Sequence, residues 1–366
     1  MLRHAAAIAL FVASPAIAQE GAWRVKGETA ALPKAGVKLP TRAGALALTQ
    51  TGEGMEKGRG VDNFAQFQSA DGTLQGTAYV YRAAMPDAAL AAYATDRAIR
   101  QRFGPSIKTE PQASVPLAGQ SNRAIRAFYA TDQLATGAAF AQVGGWLLKL
   151  RVSGPVQRRA EIEAALDALL AGVKLDRDAA PTAVRPLALG APCPAAAGAE
   201  AKPLGDDGMD PEALIGLLMG GKGVAKRVKA QPITDPAQLP FPASGHKPAC
   251  VRGTIRSTEG GALEFLQPAG AGEPDALVAA LNDAGGVLAI QKAQIGEGYT
   301  IRRYGIGHID QLGKLDRLPG MAQIGEWMGK PDTSVLAIRT RTVFNADGTS
   351  SMQLPGGLQV RAEAKR

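Results

Sequence analysis

The chain holds a glycine-rich and lysine-rich run, MGGKGVAKRVK at residues 219–229, with the composition of a phosphate-binding loop. The residues before it argue against that chemistry. Asp210 and Pro211 are a typical N-cap and first-turn pair, and the leucines that follow recur at helical spacing, at Leu214, Leu217 and Leu218. The glycines therefore end a predicted helix, whereas a phosphate loop needs glycines before a helix N-terminus, where free N–H groups hold the anion. No GxxxxGK followed by Ser or Thr occurs, so we predict a helix C-cap here and no nucleotide cofactor.

Candidates for nucleophilic catalysis are few. The nearest approach to a GxSxG elbow is GQSNR at residues 119–123, which lacks the second glycine and precedes a predicted strand, so Ser121 is interpreted as a turn residue. Beyond His4, the histidines are His246, in the loop PASGHKPAC, and His308, in YGIGHIDQ. We interpret His308 as a residue at the start of a helix beside a capping Asp310, and helical neighbours two apart do not face each other. We therefore predict no catalytic residue.

Acidic residues leave one further reaction open. Two carboxylates that are close in space suffice for glycoside cleavage, and the candidates here are Glu259, Glu264 and Glu297. Metal motifs are lacking: the sequence has no HExxH, no CxxC and no DxDxDG, and we predict no metal site. Glycines beside polar and aromatic groups are densest over residues 294–308. We therefore place a candidate binding site there, formed by Glu297, Tyr299, Tyr304 and His308.

The first eighteen residues have the order of a secretory leader. Arg3 and His4 precede an apolar run over residues 5–13, and residues 16–18 read Ala-Ile-Ala, which predicts cleavage before Gln19 and a periplasmic protein. No later apolar stretch approaches the roughly 20 uninterrupted residues that span a bilayer, so no transmembrane segment is expected.

The basic residues are spread thinly along the chain. The 41 Lys and Arg, less Arg3 of the leader, stand against 33 Asp and Glu, a net charge of +7. A nucleic-acid-binding protein concentrates its cations and interleaves them with aromatic residues. Because the cations of this chain are spread out instead, we do not predict a specific nucleic-acid partner. Attraction of the whole protein to an anionic membrane or cell-wall polymer stays open.

The two cysteines, Cys193 and Cys250, predict a disulfide. In an exported chain an isolated pair favours a bridge over a zinc site, because zinc needs about four ligands and only His246 and His308 could supplement them. Two free thiols with no structural role are the alternative.

Residues 19–175 are predicted to form an α+β domain. Strands over 61–68 and 73–82 flank the turn pair Asp71-Gly72, a helix covers 85–103, and strands follow over 108–117, 123–130 and 137–152 before a closing helix over 156–171. The first helix is expected to bury Ala92, Ile99 and Phe103 and to leave Arg97, Arg100 and Arg102 for solvent. In the last strand Trp146, Leu148, Leu150 and Val152 predict one covered sheet face, with Lys149 and Arg151 on the other.

This order of elements resembles the PsbP-like fold, in which helices flank an antiparallel sheet. The residues that carry it are the hairpin FAQFQSADGTLQGTAYVYR, the helix after it, the strand GGWLLKLRV and the helix AEIEAALDALL. The resemblance implies a protein that acts by binding rather than by catalysis, since members of that fold family mostly do so.

The rest of the chain is predicted to form a linker, a second, smaller α+β domain and a tail. The linker covers residues 176–210, rich in Ala, Pro and Gly, the second domain 211–361, and the polar tail 362–366. In the second domain we expect strands over 250–256, 262–267, 287–292, 299–304, 334–344 and 349–354, and helices over 274–284, 310–318 and 321–328.

The sequence leaves two functions open. The favoured one is a non-enzymatic exported protein that binds or scaffolds an envelope protein or a cell-wall component. The alternative is a secreted hydrolase with its site in the second domain near His308, which would require His308 to meet a carboxylate or a hydroxyl in a pocket.

Overall fold

The computed structural model describes residues 18–19, 22–55, 58–193, 200–204, 248–256, 261–269, 274–293, 297–330, 334–353 and 359–362. Within these ranges the chain is α+β, as predicted, with three helices of eight residues or more packed on antiparallel sheets. Most of the predicted leader, the predicted helix before residues 219–229, the glycine-lysine run itself, His246 and Glu259 lie outside the described residues.

The first part of the chain supplies fourteen strands within the described ranges. They are β1 (Ala18–Gln19), β2 (Arg24–Lys26), β3 (Thr29–Leu32), β4 (Val37–Pro40), β5 (Arg42–Ala43), β6 (Leu46–Glu53), β7 (Asp62–Ser69), β8 (Gln75–Tyr81), β9 (Lys108–Thr109), β10 (Ala113–Leu117), β11 (Gln120–Ala130), β12 (Leu134–Val143), β13 (Trp146–Pro155) and β14 (Lys174–Leu175). The large sheet has the order β1-β6-β7-β8-β13-β12-β11-β10, with β5 on β6 and β9 on β11. The small sheet has the order β14-β4-β3-β2.

The predicted hairpin forms between β7 and β8. Its turn is closed by Asp71, whose carboxylate accepts hydrogen bonds from the Thr73 amide at 3.1 Å and the Thr73 hydroxyl at 3.0 Å. Gly72 adopts the left-handed φ of 75° that the turn requires. The same Ala-Asp-Gly-Thr sequence recurs at residues 346–349, where Asp347 accepts from the amide and hydroxyl of Thr349 at 2.9 and 2.7 Å. Both hairpins follow from this local turn chemistry.

Two helices, α1 (Ala88–Phe103) and α2 (Arg159–Gly172), cover opposite faces of the large sheet. The inner side of α2 packs on Leu148, Leu150 and Val152 of β13 through Ile162, Ala165, Leu166 and Leu169. The alanines of α1 pack on the other face, against Phe140 and Leu147. The expectation of one covered face is therefore wrong: the second face is also covered at Leu147 and Lys149, whose side chain is only 5% exposed, while Arg151 on that face stays exposed.

Helix α1 is rich in alanine, and this lets it lie between two sheets. It begins three residues later than predicted, because the Asp87 carboxylate caps it by accepting from the amides of Ala89 and Leu90 at 2.9 and 3.2 Å. It ends before Gly104, as predicted. Two expectations for its surface are wrong: Phe103 is 37% exposed, and Arg97 forms an ion pair across to the second sheet.

In the described residues from 248 onward, the chain forms a nine-stranded meander with all neighbours antiparallel. Its strands are β15 (Ala249–Arg256), β16 (Ala262–Pro268), β17 (Ala276–Ala280), β18 (Val287–Lys292), β19 (Tyr299–Gly305), β20 (His308–Leu315), β21 (Thr340–Phe344), β22 (Ser350–Gln353) and β23 (Gln359–Ala362). The predicted helix over 321–328 is present as α3 (Met321–Met328), and its Ile324 packs in the core on one face of this sheet.

Two predicted helices of this part are strands instead. Residues 276–280 form β17, where Leu277 and Ala279 join the core beneath α3 and Val278 joins the core on the opposite face. A strand buried on both faces is apolar throughout, and such a run also matches helical spacing. Residues 308–315 form β20, held in register between β19 and β21.

The segment predicted as a linker is bonded to both sheets where the structure describes it. The amide of Val184 donates to the carbonyl of Asn122 at 2.9 Å, and the amide of Gly190 donates to the carbonyl of Ala249 at 2.7 Å. The predicted disulfide joins Cys193 to Cys250 and fastens this segment to strand β15. This prediction is confirmed.

Candidate functional site: the junction of the two large sheets

The two large sheets meet through main-chain hydrogen bonds. Residues 82–84, which follow β8, lie beside the turn between β19 and β20. The amide of Ala84 donates to the carbonyl of Gly305 at 2.9 Å, and the amide of Gly307 donates to the carbonyl of Arg82 at 2.8 Å. Because backbone groups taken out of water need partners, these bonds fix the relative position of the two sheets.

Arg59 reinforces this contact from the loop between β6 and β7. One guanidinium nitrogen donates to the carbonyl oxygens of Gly307 at 2.5 Å and Phe344 at 2.6 Å, and Nε lies 3.4 Å from the Asn345 side-chain oxygen. The planar, multidentate guanidinium suits this task, since it can bond several acceptors from one position. The amide of Ala346 returns a bond to the Arg59 carbonyl at 3.1 Å.

Glu264, one of the three candidate carboxylates, lies on β16 and faces helix α1. It accepts a hydrogen bond from the Tyr93 hydroxyl and forms an ion pair with Arg97 at 2.5 Å, and its side chain is 13% exposed. Burial and the hydrogen bond to Glu264 raise the pKa of Tyr93 well above its ordinary value. Glu264 therefore joins α1 to the second sheet and is engaged on both partners.

Lys149 forms a second ion pair across the junction. Its ammonium lies 2.5 Å from the carboxylate of Asp283, in the turn between β17 and β18, and within 5.6 and 5.9 Å of the ring centroids of Tyr79 and Phe140. Burial lowers the pKa of Lys149, against the opposing attraction of Asp283. The Lys149 ammonium is buried where the two sheets meet, and the aromatic rings and the Asp283 carboxylate take the place of water around it.

His308 and Asp310 lie on strand β20, so the prediction of a helix there is wrong. Residues two apart on a strand share a face, and the register places His308 opposite Gly305 and Asp310 opposite Arg303. They nevertheless do not act as a pair. Nδ1 of His308 lies 3.1 Å from the carbonyl of Ile306, and the ring covers the α-carbon of Gly305, where any side chain would collide with it.

Asp310 is instead held by two arginines on the neighbouring strands. Arg341 on β21 donates to both carboxylate oxygens, at 2.6 and 3.0 Å, and Arg303 on β19 donates twice to Oδ2, at 2.9 and 2.5 Å. Burial raises the pKa of Asp310, but the hydrogen bonds from Arg341 and Arg303 outweigh it and hold the pKa below its ordinary value. A carboxylate saturated in this way does not orient a histidine as a base requires.

The four residues of the candidate binding site predicted over 294–308 are not brought together. Tyr299 and Tyr304 are core residues on opposite faces of β19, and their hydroxyls donate to the carbonyl of Pro274 at 3.3 Å and the side-chain oxygen of Gln291 at 3.0 Å. Glu297 is exposed in the turn before β19. The glycines around them serve turns, as the left-handed φ values of 85° at Gly298 and 66° at Gly307 show.

A cleft opens where α1 meets the second sheet. It has a volume of about 310 Å³ and is lined by Arg97, Gln101, Leu263, Glu264, Leu281 and Asn282, among others. Gln101 closes one side by donating to the carbonyl of Ala262 at 2.6 Å. No group of three His, Cys, Asp or Glu in the described ranges is arranged to hold a metal ion.

Sequence reasoning missed Arg59, Tyr93 and Lys149, the residues that fasten the junction. Each joins segments more than 130 residues apart in the chain. The one local signal was the buried-strand spacing of Lys149 among apolar residues, which does not say what covers the second face.

No protein-family model matches the chain. No curated protein matches it either. Among solved structures, the chain is similar to the solution structure of cyanobacterial PsbP (CyanoP) from Synechocystis sp. PCC 6803, with 12% identity and a TM-score of 0.28. The match covers 39% of this chain and 88% of that chain. None of the helices that the structure describes is long and apolar enough to cross a membrane. The chain thus has a weak PsbP-like match in fold, as predicted from the order of its elements.

Proposed function

We propose that the protein is exported to the periplasm and binds or scaffolds another component of the cell envelope, without catalysing a reaction. The observation that carries the proposal is the engagement of Asp310 by Arg303 and Arg341. Asp310 shares a strand face with His308, and its bonds to the two arginines keep it from orienting the imidazole. The alternative of a hydrolase near His308 requires a carboxylate in that orienting role.

The leader pattern and the disulfide support the periplasmic location. Residues 3–18 have the charged, apolar and small-residue order of a cleaved leader. The bridge between Cys193 and Cys250 is typical of chains that fold in an oxidising compartment.

The contacts between the sheets support a scaffolding role. Arg59, Glu264 and Lys149 each tie the first sheet to the second, so the two present one continuous surface to a partner. Such preorganisation lowers the entropic cost of binding.

The proposal is tested by tagging the full chain at its C-terminus and capturing its partners from a native envelope extract. Cell fractionation should place the processed chain, shortened by its leader, in the periplasm together with the captured component. Recovery of the unprocessed chain in the cytoplasm, with no component enriched over an unrelated tagged periplasmic protein, would contradict the proposal.

A further inference from the structure

The small sheet carries a row of cations on its outer face. Its strands alternate, with apolar side chains turned into the core, among them Val25, Ala30, Leu32, Val37 and Leu39. The other face presents Arg24 and Lys26 from β2, Lys38 from β4 and Lys174 from β14. Arg24, Lys26 and Lys174 are exposed. These cations come from segments up to 150 residues apart in the chain, which is why the sequence did not show them as a cluster.

Two of the cations face each other directly. Lys38 and Lys174 are register partners in the antiparallel pair β4–β14, and like charges in directly opposed positions destabilise a sheet. The only carboxylate bonded to either in the described residues belongs to Asp176, which lies 2.5 Å from the Lys38 ammonium. The repulsion between Lys38 and Lys174 would be relieved if an anion outside the protein lay against this face.

A groove runs along the same sheet. It has a volume of about 500 Å³, and Lys38, Arg42 and Lys174 line it together with Thr29, Thr41 and Glu28. The face and its groove thus hold five cations, with Arg42 the fifth, against the carboxylates of Glu28 and Asp176, a formal charge of +3. The complementary ligand is an anion that meets several cations at once.

The chemistry of the face favours a lipid surface over a nucleic acid. The outward positions of the four strands carry no aromatic residue on which a base could stack; beside the cations they hold Thr29, Ala31 and Pro40. Neighbouring strands lie about 4.8 Å apart, so the four strands span about 14 Å. Several cations presented on one face can meet several phosphodiester groups of an anionic bilayer at once.

We propose that the outer face of the small sheet and the groove beside it, through Arg24, Lys26, Lys38, Arg42 and Lys174, dock the protein onto the surface of an anionic phospholipid bilayer. The inference rests on the proposed binding function and names one partner for it. Binding is reversible and electrostatic, because each cation contributes a modest attraction that salt screens.

The test uses the full mature chain and vesicle sedimentation. Vesicles of phosphatidylglycerol mixed with phosphatidylcholine should bind the protein at low ionic strength, and vesicles of phosphatidylcholine alone should not. The triple variant Arg24→Gln/Lys26→Gln/Lys174→Gln removes three exposed cations, and the partition coefficient should fall about a hundredfold, at about fivefold per cation. All three side chains are solvent-facing, so the variant should melt as the wild type does.

A matched control separates this face from the charge of the whole protein. Arg102→Gln/Lys108→Gln/Lys292→Gln removes the same number of exposed cations from other surfaces, and it should keep most of the binding. Equal losses in the two triple variants would overturn the inference, as would wild-type binding to a soluble anionic polymer such as polyphosphate without binding to the vesicles. Envelope capture that survives in the first variant while vesicle binding is absent from the wild type would remove this inference and leave the proposed function standing.

Discussion

The Tyr93 hydroxyl of helix α1 donates a hydrogen bond to the carboxylate of Glu264 on strand β16, and so one helix packed on the first sheet holds the second. Glu264 also pairs with Arg97, one helical turn further along α1. The same helix thus contributes to both halves of the structure.

Loss of the Tyr93–Glu264 bond should weaken the whole protein. In Tyr93→Phe the partly buried carboxylate keeps Arg97 but loses its hydroxyl donor, and we expect the free energy of unfolding to fall by about 1–3 kcal/mol. Denaturant unfolding measures the change. A double-mutant cycle with Glu264→Gln should show coupling between the two positions.

The control for this prediction is an exposed ion pair. Lys108 and Asp132 lie 3.5 Å apart with side chains 79% and 92% exposed, so Lys108→Gln should change stability by less than about 0.5 kcal/mol. Additive effects of Tyr93→Phe and Glu264→Gln, with no coupling, would contradict the assigned contact.

Asp310 should make stability depend on acid. Its pKa is lower in the folded chain than in the unfolded chain, so the folded state binds fewer protons. The stabilisation that ionised Asp310 provides is therefore complete above its pKa of about 3.9 in the unfolded chain. It is lost as the pH falls through the lower pKa of Asp310 in the folded chain. Asp310→Asn should remove this part of the acid limb in a plot of unfolding free energy against pH.

At neutral pH, Asp310→Asn should lower the free energy of unfolding by about 1–3 kcal/mol. Removing one partner of a buried ion pair lowers the free energy of unfolding by more than this when the other charge stays buried. Here Arg303 and Arg341 are 42% and 35% exposed, so water can hydrate them and the loss is smaller. An unchanged acid limb in the variant would show that Asp310 does not carry this pH dependence.

Much of the first part of the structure could be predicted from the sequence, because its signals are local. Asp71-Gly72 and Gly104 set a hairpin and a helix end through the conformations they allow, and the alternation in β13 set its inner face. What lies on the second face of the large sheet could not be predicted. Lys149 is covered there by Asp283, 134 residues away, and no periodicity encodes a contact at that range.

The second part was harder to predict for a related reason. Strand β17 is buried on both faces, so its apolar run lacks alternation, and Leu277 and Leu281 at helical spacing favoured a helix. The prediction for the candidate site was wrong in the same way, because it placed His308 and Asp310 at the start of a helix. On the strand they share a face, but the cross-strand arginines that occupy Asp310 come from β19 and β21 and could not be read from the local sequence.

The disulfide should contribute a large share of the stability. It joins residues 57 positions apart, and in the chain-entropy model closing such a loop stabilises the folded state by about 4 kcal/mol. Cys193→Ser/Cys250→Ser should lower the melting temperature, and the reducing agent that lowers it in the wild type should have no further effect on the variant. Non-reducing peptide mapping of exported protein should recover Cys193 linked to Cys250; alkylation of both thiols without prior reduction would contradict the bridge.

His308→Ala should leave the protein folded and its partner capture unchanged. The ring lies over Gly305 with Nδ1 beside the carbonyl of Ile306, and we expect its loss to cost about 1 kcal/mol, the central value for a point mutation. Thermal unfolding of the variant beside the wild type checks the cost. A loss of several kcal/mol would mean that His308 supports the fold in a way that these contacts do not explain.

The central claim is that this protein binds its partner and does not transform it. The most direct test is to incubate the captured envelope component with the wild type and with His308→Ala, and to measure its mass before and after. We predict an unchanged mass with both proteins and equal affinity for both. A product formed by the wild type and not by a folded His308→Ala variant would contradict the claim and establish a hydrolase.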